Sequence, residues 1–288
     1  MKITVFTPTF NRADLLKRLY KSLVIQTCKD FVWLIVDDGS SDNTKEEVAM
    51  WMKENLIEIK YIYQTNQGMF AAHNTAYKNI ATELNICVDS DDYLKNDSIK
   101  SILELWNEVE DKNNLAGMIF NNEDIRGNLI GSDLPNVKTV TLYDVNHYYK
   151  VGGDKKLVYR TDVISKYRYP ITKNEVAIPS TYIYYQIDLK YKLFVSHKSI
   201  CVVDYQLNGL SKNERNRLIS SPGNSAKFFI LLYRIENRNK KNKILFLAKY
   251  YAFMHICKKK SKEKVNIFEK IPAYLISKIF LFSIYKKN

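Results

Sequence analysis

The residues in this 288-residue chain best suited to chemistry are carboxylates placed at the ends of short apolar runs. The run LNICV, residues 84–88, leads into Asp89-Ser90-Asp91-Asp92. The run FVWLIV, residues 31–36, leads into Asp37-Asp38-Gly39-Ser40-Ser41-Asp42. An Asp-x-Asp at a strand end sets two hard oxygen ligands near one point. That suits Mg²⁺ or Mn²⁺ bridging a diphosphate, because these ions take few protein carboxylates and fill their shell with phosphate oxygens. Two adjacent carboxylates at the end of a buried strand cost free energy unless they meet donors. Helix capping accounts for Ser41 or Asp42 but leaves Asp37 and Asp38 unexplained. A carboxylate there suits a base N–H or a ribose hydroxyl. A third cluster, Thr7-Pro8-Thr9-Phe10-Asn11-Arg12, closes the first apolar run and leads into a helix start, where free backbone N–H groups favour an anion.

Elements must hold these clusters in place. Ile3–Thr7, Phe31–Val36, Ile57–Tyr63 and Leu84–Val88 read as strands, and helices are expected over Ala13–Ile25, Thr44–Asn55, Phe70–Ile80 and Ser98–Val109. Such alternation predicts an α/β fold with a mostly parallel sheet flanked by helices, whose ligands bind outside the carboxyl ends of the strands. All three clusters fall there. Beyond Gly117 the pattern loosens into short strands at Met118–Phe120 and Thr139–Leu142, with a hairpin through Asn121–Ile130 between them. A helix over Thr181–Tyr191 then precedes strands at Leu193–Val195 and Ile200–Tyr205, with His197 in the turn between. Pro222-Gly223 marks a boundary, and Ala226–Glu236, Ile244–Cys257 and Val265–Tyr285 beyond it read as helical. No internal repeat is present.

Thr7–Arg12, Val36–Asp42, Gln67-Gly68 through Asn74, and Val88–Asp92 together resemble the family-2 glycosyltransferases of the GT-A fold, of the bacterial surface-polysaccharide type. The resemblance is specific over residues 1–120 and looser to about 211. It implies a nucleotide-sugar donor segment at 1–120, an acceptor and catalytic segment at 121–221, and a basic helical extension at 222–288. It further implies that Thr7, Pro8, Thr9 and Arg12 line the nucleotide and that Asp38 holds the uracil, with Asp37 beside it. By the same resemblance Gly68, His73 and Asn74 border the donor. Asp89 and Ser90 approach the ribose and metal region, and Asp91, with Asp89, coordinates Mn²⁺ or Mg²⁺. Relatives often carry Arg where this chain has His73, which reads either as a phosphate contact or as an ordinary surface-helix histidine.

An inverting transfer from a UDP-sugar needs a base for the acceptor hydroxyl, which the resemblance places at a helix start in the second half. Lys156–Ser211 resembles one branch of these enzymes through Leu157-Val158-Tyr159-Arg160-Thr161 and Asn208-Gly209-Leu210-Ser211. Where that branch has an acid after Pro179, this chain has Ser180-Thr181, so Glu175 is the first candidate base, Asp188 the second and Asp92 an assistant. Some relatives add a metal-binding histidine near Tyr205–Ser211; here Asn208 stands there and no histidine does.

Composition narrows the classes. Hydrophobic residues make up 46%, enough for a packed core, and 9 glycines with 6 prolines exclude collagen-like and disordered chains. Four widely spaced cysteines (Cys28, Cys87, Cys201 and Cys257) lack metal-finger spacing and fit a reduced, cytoplasmic protein. No signal peptide precedes the first strand, and no run of about 18 apolar residues reads as a membrane span. The net charge is +13, and from Lys227 onward only Glu236, Glu263 and Glu269 are acidic. Val265–Tyr285 with Lys258-Lys259-Lys260 and Lys286-Lys287 reads as an interfacial helix for an anionic membrane at the inner face of the plasma membrane. Packing on the domain or a homodimer interface is the other reading. That location suits a glycan or lipid-linked glycan acceptor. A nucleic-acid partner is not expected, since the aspartate clusters repel phosphate without a metal. A catalytically inactive nucleotide-binding member serving as a partner or scaffold is the alternative function. A nucleotidyltransferase would carry a glycine-rich first loop, and Thr7–Arg12 has no glycine.

Overall fold

The computed structural model describes residues 2–172, 175, 177–204, 214–261 and 263–285. Two compact units emerge, one from residues 1–168 with 190–207 and one from 169–189 with 208–288. This division follows packing; the functional segments 1–120, 121–221 and 222–288 proposed from sequence follow chemistry. The second-half motif Tyr205–Ser211 and the tail Lys286-Lys287 lie outside the described residues.

In the first unit β1 (Ile3–Thr9), β2 (Phe31–Asp37), β3 (Glu58–Tyr63) and β4 (Leu84–Cys87) alternate with α1 (Ala13–Val24), α2 (Thr44–Glu54), α3 (Met69–Asn79) and α4 (Ser98–Glu108). The strands lie parallel in the order β3-β2-β1-β4. The sheet then continues as a mixed one. Past β5 (Tyr93–Leu94) come β6 (Leu115–Glu123), β7 (Thr139–Val140), β8 (Lys156–Arg160), the short α5 (Thr161–Ile164) and β9 (Lys192–Val202). Spatially β8 inserts antiparallel between β4 and β6, and β9 pairs parallel with β6 and antiparallel with β5 and β7. Gly117 lets β8 come this close: a Cβ there would stand 1.9 Å from the Val158 carbonyl oxygen, on a backbone with φ +151°.

The two strands expected at 193–195 and 200–205 are one bulged strand. The bulge arises where the β6–β9 register shifts on either side of Asn121. His197 therefore sits within β9 rather than in a turn, and its Nδ1 lies 2.9 Å from Asp133 Oδ1. A bulge adds a residue that side-chain alternation alone reads as a break.

The parallel half is anchored by apolar side chains from both sheet faces. Trp33 of β2 stacks with Tyr20 of α1 and Trp51 of α2 at centroid separations of 6.2 and 5.7 Å. Tyr20 and Trp51 stack at 4.6 Å. Each such ring removes enough apolar surface to contribute roughly 2–3 kcal/mol.

The second unit contains α6 (Tyr182–Asp188), α7 (Glu214–Ser220), α8 (Pro222–Ile235), α9 (Lys240–Ile256) and α10 (Ile267–Tyr285). Pro222 opens α8 at its first turn, where a missing N–H leaves no hydrogen bond unmade. Tyr185 stacks on Phe228 at 6.1 Å and Phe229 on Phe253 at 5.5 Å, joining α6, α8 and α9. Among the described residues no helix is long and apolar enough to cross a membrane.

Candidate active site

The carboxyl ends of β1, β2 and β4 carry most of the first-unit candidates, in separate hydrogen-bonded groups. Parallel pairing sets Thr9 beside Asp37, and the Asp38 N–H donates to the Thr9 carbonyl at 2.9 Å. The loops after β1 and β2 lock reciprocally. Asn11 N–H donates to Ser40 Oγ at 2.8 Å, and Ser41 N–H donates to Asn11 Oδ1 at 2.7 Å. Asp42 serves two helices: Oδ2 accepts from Ala13 N at 3.1 Å and Oδ1 from Thr44 N at 3.1 Å. Burial pushes the Asp42 carboxyl up, but donors from Thr44 and Ala13 outweigh it and hold the group below the usual range.

Asp37 and Asp38 are both buried, and donors explain how. Asp37 accepts from Ser40 N at 2.8 Å and from the Tyr61 hydroxyl at 2.5 Å. Asp38 Oδ1 accepts from Gln64 Nε2 at 2.6 Å and Gln67 N at 3.0 Å, and Oδ2 accepts from Gly68 N at 2.7 Å. Two carboxylate oxygens offer about four acceptor positions, so three donors leave Asp38 capacity for one more. Gly68 carries φ +90° at the start of α3, a conformation that aims its N–H back at Asp38 and that a side chain would strain.

Around the Asp89–Asp92 turn the surroundings are cationic. Arg12 Nη1 donates to Ser90 Oγ and to Asp91 Oδ2, each at 3.1 Å. Arg18, a residue the sequence reading passed over, donates from Nη2 to the Asp91 carbonyl and from Nη1 to Asp204 Oδ2 at 2.7 Å. The same guanidinium lies 5.0 Å from the Tyr93 ring centroid. The available signal for Arg18 was its place on the α1 face that returns toward the loop of Arg12. Asp92 turns inward, its N–H donating to the Asp89 carbonyl at 3.0 Å and its Oδ2 lying 3.2 Å from the buried Lys156 Nζ. Burial raises the Asp92 carboxyl to about 6, with Lys156 pulling it down and Asp89 adding to the rise. Burial works against the charge on Lys156, but the carboxylates of Asp92 and Asp89 outweigh it and hold the ammonium above the usual lysine range. Nothing in the sequence alone marked Lys156, which needs the β8 insertion to reach Asp92.

Thr7 is fully buried, and its Oγ1 accepts from Trp33 Nε1 at 3.0 Å, so its side chain serves the core of the sheet. Pro8 is half-buried, and Thr9 is buried with an Oγ1 that makes no hydrogen bond. His73 is buried rather than on a helix surface, edge-on to Phe6 with centroids 5.5 Å apart. Burial lowers its imidazole to about 4 while the Asp89 carboxylate pulls the other way, so the ring is neutral near pH 7. Asn74 follows it, half-buried on α3.

Asp89 and Asp91 are the two carboxylates of the turn not paired with Lys156, and Asp91 is bonded to Arg12. Asp89 is exposed and Asp91 partly so, and among the described residues no group of three His, Cys, Asp or Glu side chains converges. Two carboxylates would leave most of the shell to phosphate and water, the arrangement that Mg²⁺ and Mn²⁺ adopt with nucleotides.

Glu175 and Asp188 belong to the second unit. Glu175 Oε1 accepts from Gly223 N and Oε2 from Asn224 N, both at 2.7 Å, so its carboxylate sits on the N-terminus of α8. Asn224 Nδ2 returns a bond to the Glu175 carbonyl at 3.0 Å. Asp188 is half-buried at the last position of α6, and Ser180 is exposed, its carbonyl accepting from the Tyr169 hydroxyl at 2.6 Å.

A parallel sheet with an aspartate-rich carboxyl edge defines the class of this protein. The model of glycosyl transferase family 2 matches residues 4–155. The chain belongs to that family. It is 38% identical over 107 residues to an uncharacterized glycosyltransferase of Rickettsia conorii, covering 37% of this chain and 17% of that one. It is 34% identical over 109 residues to a GalNAc(5)-diNAcBac-PP-undecaprenol beta-1,3-glucosyltransferase of Campylobacter jejuni, covering 37% and 35% respectively. These matches span about a third or less of the relatives' own lengths. Among solved structures, S. aureus TarS 1–349 in complex with UDP superposes with a TM-score of 0.64 at 20% identity, over 94% of this chain and 77% of that one. The fold is therefore the GT-A type expected from sequence.

Proposed function

We propose that the chain transfers a sugar from a UDP-sugar to a hydroxyl of a glycan acceptor, with inversion at the anomeric carbon. The setting would be synthesis of a bacterial surface polysaccharide or lipid-linked oligosaccharide. The observation that carries this reading is the pair of bonded groups that flank the carboxyl end of β1, Thr9 with Asp38 and Gly68 on one side and Arg12 with Ser90 and Asp91 on the other. The first side suits a base and ribose, and the second a charged diphosphate. The family membership and the UDP complex of the structural neighbour support the donor class, and the Campylobacter relative's name supports a lipid-linked acceptor.

In this reading Asp38 accepts a base N–H with its remaining acceptor position, and Thr9 Oγ1 meets a ligand hydroxyl. Asp89 and Asp91 hold Mn²⁺ or Mg²⁺. When bound, the ion neutralises charge developing on the departing diphosphate. Arg12 is paired with Asp91 in the free protein and would move its charge to donor phosphate once that carboxylate takes the ion. Arg18 fixes the backbone of the turn throughout.

Proton removal from the acceptor hydroxyl is assigned to the Glu175, Asp188 and Asp92 set. Glu175 accepts one N–H on each oxygen and keeps lone pairs for an acceptor hydroxyl, but those two donors at the start of α8 make it a weaker base. Asp92 is buried beside Lys156 and better suited to shaping the turn than to meeting an acceptor. The anchoring of Glu175 on the start of α8, with Ser180 in place of an acid, favours as a second reading a donor-binding member that transfers nothing.

Thermal stabilisation by nucleotides and nucleotide-sugars, each with and without Mn²⁺, tests the donor site, since a ligand of the folded state raises the melting temperature by mass action. UDP species that stabilise only with the metal support the reading, and indifference to every nucleotide overturns it. The anomeric configuration of the product by NMR tests inversion. Stabilisation without turnover on any glycan acceptor would favour the inactive reading.

A further inference from the structure

Among the described residues α10 turns a large apolar face to solvent. Ala273, Ser277 and Leu281 are buried, and Glu269 is tied to Tyr233 of α8 by a hydrogen bond. The opposite side carries Phe268, Ile271, Leu275, Ile279 and Phe282 at helical spacing, with Ile267 and Tyr274 beside them. These are not marginally open: Phe268 is 82% exposed, Ile279 69% and Phe282 67%. Folded chains seldom leave such a stripe to water, because each large apolar side chain gains on being covered.

Charge indicates what covers it. Residues 222–288 hold 16 Lys and Arg against 3 Asp and Glu, a net +13 that equals the charge of the whole chain. Residues 1–221 balance at 28 of each sign. The excess is thus confined to the segment that carries the apolar stripe. Lys270 and Lys278 are exposed on α10 itself, and Lys258, Lys259, Lys260 and Lys264 are exposed in the connection leading to it. The acidic groups nearby already have partners: Glu263 receives both 2.8 Å contacts of Arg234, and Glu269 meets Tyr233. A second copy docked face to face on α10 would set lysines against lysines with no carboxylate to answer them. A negatively charged lipid surface answers both features at once, taking the apolar side chains into the headgroup–acyl boundary and the lysines against its phosphates.

We infer that α10 and the basic connection before it form a docking surface for an anionic bilayer, on which the protein lies without spanning it. The inference stands apart from sugar transfer, since it is read without donor or acceptor.

Flotation of the purified full chain with vesicles tests it, using pure phosphatidylcholine and a mixture with about a third phosphatidylglycerol at about 0.15 M salt. Binding to the mixed vesicles at least about tenfold over the neutral ones is expected, with release as salt is raised. K258Q/K259Q/K260Q should weaken binding by about fivefold per lysine, on the order of a hundredfold together. I271E/I279E should abolish it. Unchanged melting temperatures, and unchanged stabilisation by UDP, show that both variants fold. Absence of binding to either vesicle, or equal binding to both, overturns the inference. So does a dimer in light scattering that I271E/I279E dissolves while vesicles are ignored, since the occupant is then a second copy.

Discussion

Lys156 Nζ lies 3.2 Å from Asp92 Oδ2, with the two side chains only 9% and 8% exposed, directly behind the turn that presents Asp89 and Asp91. Losing one partner of such a pair leaves the other charge buried and uncompensated, at about 3–5 kcal/mol. K156M should therefore lower the melting temperature by roughly 6–20 °C, given about 2–4 °C per kcal/mol in chains approaching this size. D92N/K156M should recover much of the loss, because removing both charges removes the desolvation penalty with them. Calorimetry of the wild type and both variants checks this, and a double variant as unstable as K156M would contradict it.

Asp92 and His73 should tilt the pH dependence of stability in opposite directions. Asp92 is raised to about 6 in the folded chain from an ordinary value of 3.8, so the folded state holds its proton more tightly. That stabilisation is complete below about pH 4 and lost as pH rises through 6. His73 is lowered to about 4 from 6.5, so its contribution is present above pH 6.5 and lost as pH falls through 4. Each is on the order of 2–3 kcal/mol. In chelator, D92N should lose stability more steeply than wild type on acidification from pH 6 to 4, and H73Q less steeply. Denaturant midpoints at pH 4, 5 and 6 measure both slopes.

Arg18 should matter to nucleotide binding without touching the nucleotide. Its guanidinium holds the Asp91 carbonyl and pairs with Asp204, so R18A frees the turn that orients two carboxylates. A charged hydrogen bond contributes about 1.5–3 kcal/mol, which corresponds to a loss of roughly 10- to 100-fold in metal-dependent UDP affinity by calorimetry. R18K, lacking the second donor arm, should fall between.

Asp91→Ala should abolish transfer and the Mn²⁺ dependence of UDP stabilisation while leaving the fold intact, because its side chain is bonded to Arg12 at the rim and not to the core. Full activity in this variant would remove the metal assignment.

Glu175 separates two roles by its signature. As an anchor of α8 its replacement by Gln keeps one acceptor oxygen but gives up the charged interaction with the helix N-terminus, at about 1–2 kcal/mol of stability with kcat nearly unchanged. As the base it would instead cost kcat by at least about a hundredfold with stability barely altered. Melting temperature and kcat measured on E175Q, beside kcat profiles against pH for D188N and D92N, decide among the three acids.

The parallel half of the fold and its aspartate edge were legible in the residues because local rules suffice there. FVWLIV has no polar interruption and so reads as a buried strand, and a βα turn in a parallel sheet always opens at one edge, which puts Asp37, Asp38, Asp89 and Asp91 on the same side. The strong charge asymmetry of the tail was equally plain. Long-range placement was not. Nothing local in Lys156–Arg160 says that this strand runs antiparallel between β4 and β6, and that insertion alone brings Lys156 under Asp92, 64 residues away. Likewise His197 looked like a turn because a bulge breaks the alternation of side chains, while pairing with β6 keeps the strand continuous. His73 read either as a phosphate contact or as a surface histidine, because its neighbours on α3 are ordinary helix formers; packing against Phe6 buries it. Glu175 stood out as an acid in the right stretch, yet its partners are the first N–H groups of a helix 48 residues later. Sequence fixes which groups are present and the periodicity of each element, whereas charge compensation in a buried site depends on contacts that only the closed chain brings within 3 Å.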